Sequence, residues 1–323
     1  MSADHTMAGH GLAPRSGGGV IHDIGYRSYE GERLSRGRIV LALCWHSLRS
    51  AFGIGRGVKA KIVPVLTFAI ICLPAVVDAV VVNRTGTRQV SYDTYTPAIR
   101  ILVMIVFLAA QAPELVSRDL RSHVLPLYFA RPISRLDYPL AKLTAFILAC
   151  LAMIEIPLLI LYLGTIAQAH GGSAIWSETK ALIPGLLVGL MWSVLLASIA
   201  LAIASLTGRR AYATGGIAIF FLLTLTLGRI LIRVSIQSAA IHGAVGLGPV
   251  GHPPPAAQFY ALISPFTVLD GVRQWLGGAT KLSGPGTIGS PGSYGPLFGV
   301  MLLVFLGASL AILAARYRKV GIS

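Results

Sequence analysis

Cysteine is almost missing from this 323-residue chain. The three present, Cys44, Cys72 and Cys150, are scattered in or beside apolar stretches, which excludes a disulfide framework or a paired metal-ligand motif. Charge is scarce too, at 12% of residues against the roughly 25% usual in soluble domains. No Gly-x-x-x-x-Gly-Lys-[Ser/Thr] phosphate cradle occurs, so the chain has no means of hydrolysing ATP itself. Gly53-Ile54-Gly55-Arg56-Gly57 lacks the Lys-Ser/Thr ending and a preceding strand. There is no His-Glu-x-x-His pair and no Gly-x-Ser-x-Gly elbow, so an intramembrane hydrolase has no support. No catalytic residues, metal site or cofactor site are expected in this chain.

Apolar residues dominate instead, at 54% of the chain, with a positive mean hydropathy. This is the composition of an all-α, polytopic membrane protein. The net charge of +15 is then best read as Lys and Arg collected on cytoplasmic flanks. Nucleic-acid binding would need basic residues interleaved with aromatics on a soluble domain, and none is present.

Residues 1–36 are polar and rich in Gly and Ser, without the apolar core of a signal peptide, and read as a disordered cytoplasmic tail. Over 37–61, Ile39, Val40, Leu43, Cys44, Leu48 and Phe52 recur near helical spacing, with Arg38, His46, Arg49, Arg56, Lys59 and Lys61 between them. That pattern predicts an amphipathic helix lying in the membrane surface, or else packed on the protein itself. Six transmembrane helices follow, at 62–82, 98–114, 138–167, 181–206, 212–232 and 296–315. Thr207 to Ala211 is a tight hairpin between the fourth and fifth. Gly185 and Gly189 are spaced for close helix approach.

With the N-terminus inside, the cytoplasmic segments hold nine Lys and Arg in 1–61, five in 116–142, two in 207–211 and three in 316–323, nineteen of twenty-seven. The bias places both termini in the cytoplasm of a multi-pass cell-membrane protein. On the outer side, 235–295 contains a Pro- and Gly-rich run and then AAQFYALISPFTVLDGVRQWLGG. This predicts a re-entrant or interfacial helical pair broken at Ser264-Pro265, since proline disfavours helix in the residue before it.

The long polar interruption between apolar segments is Glu114 to Lys142, ELVSRDLRSHVLPLYFARPISRLDYPLAK. Leu115, Leu120, Val124 and Leu125 supply a candidate docking face, and Arg118, Asp119 and Arg121 candidate ion pairs at its rim. Together with the amphipathic N-terminal helix, the six spans and the Ser-Pro-Phe of the outer segment, this stretch resembles the type-2 ABC transporter permeases. The resemblance covers most of 37–319. It implies a cytoplasmic coupling loop at 115–137 that seats in a separate ATP-binding cassette ATPase subunit, where ATP and Mg would be held. It also implies pairing with a second permease copy or paralogue. The positions that match are Glu114, Arg118, Asp119, Arg121, Leu125, Arg131, Pro132, Ser134 and Arg135, with Pro132 ending the coupling helix. An amphipathic or lipid-like exported cargo suits spans rich in Leu, Ile, Val and Ala.

Two acids within the predicted spans, Asp78 and Glu155, offer an alternative, a self-contained proton-linked transporter. Asp78 lies toward the outer end of the first span and Glu155 near the middle of the third, two residues before Pro157. Glu155 could equally be protonated and bonded to backbone freed by that proline. Arg229 and Arg233, one turn apart, reach headgroups, the outer segment or an anionic substrate.

Overall fold

The structure, a computed structural model, describes residues 35–86, 92, 98–122, 128, 134–169, 171–241, 254–277 and 292–319. Among these the chain is helical and no strand occurs. The polar tail, the Pro-rich run of the outer segment, and Leu125, Arg131 and Pro132 lie outside the described residues.

α1 (Arg36–Ala51) is the amphipathic helix, but it ends ten residues earlier than the sequence pattern predicts. A turn containing Gly53 and Gly55, both with positive φ, replaces the rest. At Gly53 a Cβ would press on the Ala60 carbonyl, so only glycine fits this reversal. One face of α1 buries Leu43, Cys44, Ser47 and Ala51 against the bundle, while Leu41 and Trp45 stay exposed. The buried face meets the reading in which this helix packs on the protein itself.

α2 (Val58–Thr85) follows, then α3 (Ala98–Leu115) and the short α4 (Ser117–Arg121). The long helices α5 (Asp137–Ile166), α6 (Gly172–Ser205) and α7 (Arg210–Ile241) come next. The outer segment supplies α8 (Pro255–Ala261) and α9 (Pro265–Gly277), broken just before Pro265 as expected, and α10 (Gly295–Lys319) closes the bundle.

Five helices, α2, α5, α6, α7 and α10, are long and apolar enough to cross a membrane, consistent with a multi-pass membrane protein. The sixth expected span, α3, is not one of the five found among the described residues. α3 is wrapped by α1, α2, α6 and α7, and Phe107, Leu108, Ala112 and Leu115 are almost fully buried. Phe107 stacks on Phe146 of α5, with ring centroids 6.2 Å apart. Lipid tails are as apolar as these side chains, so close packing rather than water exclusion holds such a centre together. α8 and α9 pack on α6, α7 and α10, and Phe266 reaches the central core between Trp192 and Phe221.

Candidate functional site

The charged residues at the α4 end are drawn into the bundle by the way α3 stops. Pro113 sits in its last turn, and Ser117 then donates its hydroxyl to the Ala204 carbonyl at 2.9 Å, fastening the start of α4 to the end of α6. Between these points Glu114 turns inward. Its carboxylate accepts from Arg56 at 2.5 Å and pairs with Arg210 at the start of α7. One buried anion thus joins the α1–α2 turn, α3 and α7.

Asp119 makes the second junction. It accepts the Tyr138 hydroxyl at 2.5 Å and the Lys142 ammonium at 2.9 Å. Tyr138 and Lys142 stand one turn apart and share a face of α5, so α4 is fixed to the first two turns of that helix. Lys142 also lies over the Tyr138 ring, 5.5 Å from its centre. The Tyr138 ring in turn packs against Tyr317 of α10 and against Tyr128, each at 5.4 Å. Arg316 donates to the Ser205 carbonyl at 3.2 Å, satisfying an end of α6.

The Arg-Pro-Ile-Ser-Arg step ends in a turn that leads into α5. Asp137 N–H donates to the Ser134 hydroxyl at 3.3 Å, and Ser134 N–H donates to the Asp137 carboxylate at 2.8 Å. These reciprocal bonds pin the turn, while the N-cap residue Leu136 itself has no side-chain bond. Arg36 of α1 forks onto both Asp137 oxygens at 2.7 Å, which raises its own pKa above the usual guanidinium range.

Of the predicted coupling residues, Glu114, Asp119 and Ser134 therefore spend their polar groups inside the chain, and Leu115 is buried in the core. Arg121 and Arg135 are exposed. The Arg118 side chain, Leu125, Arg131 and Pro132 lie outside the described residues. Sequence reasoning missed the cations that answer the acids, Arg36, Arg56, Lys142 and Arg210. Only the i, i+4 spacing of Tyr138 and Lys142 carried a local signal.

Within the bundle, Glu155 is buried, and neither of its oxygens has a hydrogen-bond partner among the described residues. The backbone bond offered by Pro157 is not made. The carboxyl occupies the notch that Gly189 of α6 leaves open, while Gly185 receives Tyr92 and Leu158 in the same way. The two glycines do bring α5 and α6 close, and one of them also houses an acid. Beside the notch a small cavity of about 50 Å³ is walled by Gly185, Gly189, Met153, Trp192 and Arg100. Arg100 and Trp192 were not singled out in the sequence, though an arginine early in a predicted span was a visible signal.

Asp78 does not join Glu155. Its neighbour Ala79 packs against Gly164, nine residues along α5 from Glu155 and so about 13 Å away along the axis. Arg229 is half-buried and Arg233 exposed, just beyond Gly228, which faces Tyr260 and Ser264 of the outer segment. Among the described residues no group of His, Cys, Asp or Glu is placed to hold a metal. No protein-family model matches the chain, and no curated protein matches it in sequence.

Proposed function

We propose that this chain is the membrane-spanning permease subunit of an ATP-driven exporter, driven by a separate ATP-binding cassette subunit that carries the ATP and Mg. The supporting observation is the way α4 is mounted. A five-residue polar helix at one end of an apolar bundle is tied by Asp119 to Tyr138 and Lys142 of α5, and through Ser117 to α6. A push on α4 would reach two long helices without passing through a flexible hinge. The internal pairing of Asp119 gives that residue a transmitting role, and leaves Arg118 and Arg121 as the contacts offered to the ATPase.

In this reading α3 serves as a sixth span inside the bundle, and α8 and α9 form a re-entrant pair on the outer side. Both termini and α4 face the cytoplasm of the cell membrane, as the distribution of Lys and Arg favours. Two such permeases, copies or paralogues, pair around a path for an amphipathic or lipid-like cargo.

The test is purification from the native membrane in mild detergent. A nucleotide-binding protein is expected to accompany the chain and to be lost when Arg118 and Arg121 are both changed to alanine. A chain that emerges alone from the unmodified membrane overturns the assignment.

One observation favours the second reading, a proton-linked transporter. Glu155 is buried without a hydrogen-bond partner beside a cavity, and an ionisable group in that position is a candidate proton site. Asp78, at another level, does not contribute to it. Transport that depends on a proton gradient and is lost in Glu155→Gln, with no nucleotide-binding protein attached, would support this reading over the first.

A further inference from the structure

The arginines around α4 do not lie on a flat rim. A hollow of about 1290 Å³ opens between α3, the end of α4 and the start of α7, walled by Arg121, Arg209 and Arg210 together with Ala110, Thr214 and Gly215. A smaller hollow of about 210 Å³ shares Arg121 and Arg210 with it and adds Arg56 and Glu114. Three guanidinium groups, Arg56, Arg121 and Arg210, thus share the smaller hollow with the Glu114 carboxylate, which Arg56 and Arg210 already occupy, while Arg209 lines the larger one.

Among the described residues neither Arg121 nor Arg209 has a carboxylate partner. Arg209 is steadied over the Tyr212 ring, 5.8 Å from its centre. Ala211, in the first turn of α7, also lines the hollow, so the unbonded N–H groups of a 32-residue helix add their positive end.

The wall changes character with depth. Gly215 is five residues along α7 from Arg210, about 7.5 Å further in, and Ala110 is one turn deeper on α3 than Glu114. A Cβ placed on Gly215 would meet nothing within 4 Å, so the wall there has open space in front of it. A soluble anion would use only the arginines at the mouth. A phospholipid would use both ends, its phosphate at the mouth and its glycerol and acyl stem along the small residues.

We propose that this hollow binds one anionic phospholipid of the leaflet at the α4 end, with its phosphate held by Arg121 and Arg209 and its acyl stem between α3 and α7. Guanidinium groups suit phosphate because their planar fork gives paired, charge-assisted hydrogen bonds. Basic pockets between membrane helices take anionic headgroups for the same reason. The site goes beyond the permease reading and does not rest on it, since binding is read on the chain alone, where Arg121 has no ATPase to meet.

The test titrates phosphatidylglycerol and phosphatidylcholine separately into the detergent-purified full chain and reads bound lipid by native mass spectrometry. Phosphatidylglycerol is expected to bind preferentially. Changing Arg121 and Arg209 together to alanine is expected to weaken it by about thirtyfold, the effect of two basic groups near a headgroup. Arg121→Lys with Arg209→Lys keeps the charge and is expected to keep most of the preference. Gly215→Leu keeps every charge but fills the seam, and is expected to weaken phosphatidylglycerol several-fold. Equal binding of both lipids, or a preference that survives the alanine pair, overturns the proposal. Displacement by inorganic phosphate together with indifference to Gly215→Leu also overturns it, and assigns the hollow to a soluble phosphate.

Discussion

Glu114 at the α4 end and Glu155 are both buried, and Asp119 and Asp137 are half-buried, yet the surroundings of Glu155 are opposite to those of the other three. Glu114 has two arginines, Asp119 a lysine and a tyrosine hydroxyl, and Asp137 an arginine and a backbone N–H. Glu155 has a glycine notch and no hydrogen-bond partner among the described residues. At the α4 end, burial is offset by charge-assisted bonds, so the acids hold helices together. At Glu155 nothing offsets it, and such a group either acts in function or costs stability.

The largest effect that sharpens this contrast is expected at Asp119. Asp119→Ala leaves Lys142 buried without its anion and should lower stability by about 3 kcal/mol. Combining Asp119→Ala with Lys142→Met should recover most of that loss. Thermal unfolding of the four proteins in detergent measures the coupling, and additive single effects would break the contrast.

Next is Gly189→Ala, whose methyl group lands on the Glu155 carboxyl and should cost about 1–3 kcal/mol through overpacking. Glu155→Ala in the same chain should relieve it. A loss that persists in the double variant would mean that Gly189 answers to the helix backbone and not to the acid.

Glu155→Met removes an unbonded polar group from an apolar site. It is expected to raise stability by about 1 kcal/mol, whereas a fall of that size would reveal a partner for the carboxyl. The smallest effect is Ser134→Ala, which removes the hydroxyl acceptor from the turn ahead of α5 and should cost about 0.5–1 kcal/mol, read as a lower midpoint in the same unfolding assay.

Local pattern carried much of this architecture. Apolar runs located α2, α5, α6, α7 and α10, and the break before Pro265 was visible in the proline itself. What pattern did not carry was pairing across the chain. Arg36 and Asp137 are 101 residues apart, and Arg56 and Glu114 are 58 apart. No periodicity links them, so a stretch of alternating charges read as a solvated rim when half of it faces inward. The end of α1 was missed for a related reason, since its apolar spacing continues to Phe52 while Gly53 reverses the chain.

The wrapped position of α3 bears on how the protein is made. Two of the walls that shelter it, α6 and α7, are synthesised after it. During translation its seat stays incomplete until α7 emerges and Arg210 closes on Glu114. A nascent chain halted before Arg210 would hold Glu114 by Arg56 alone, with the second of its two cations still to come.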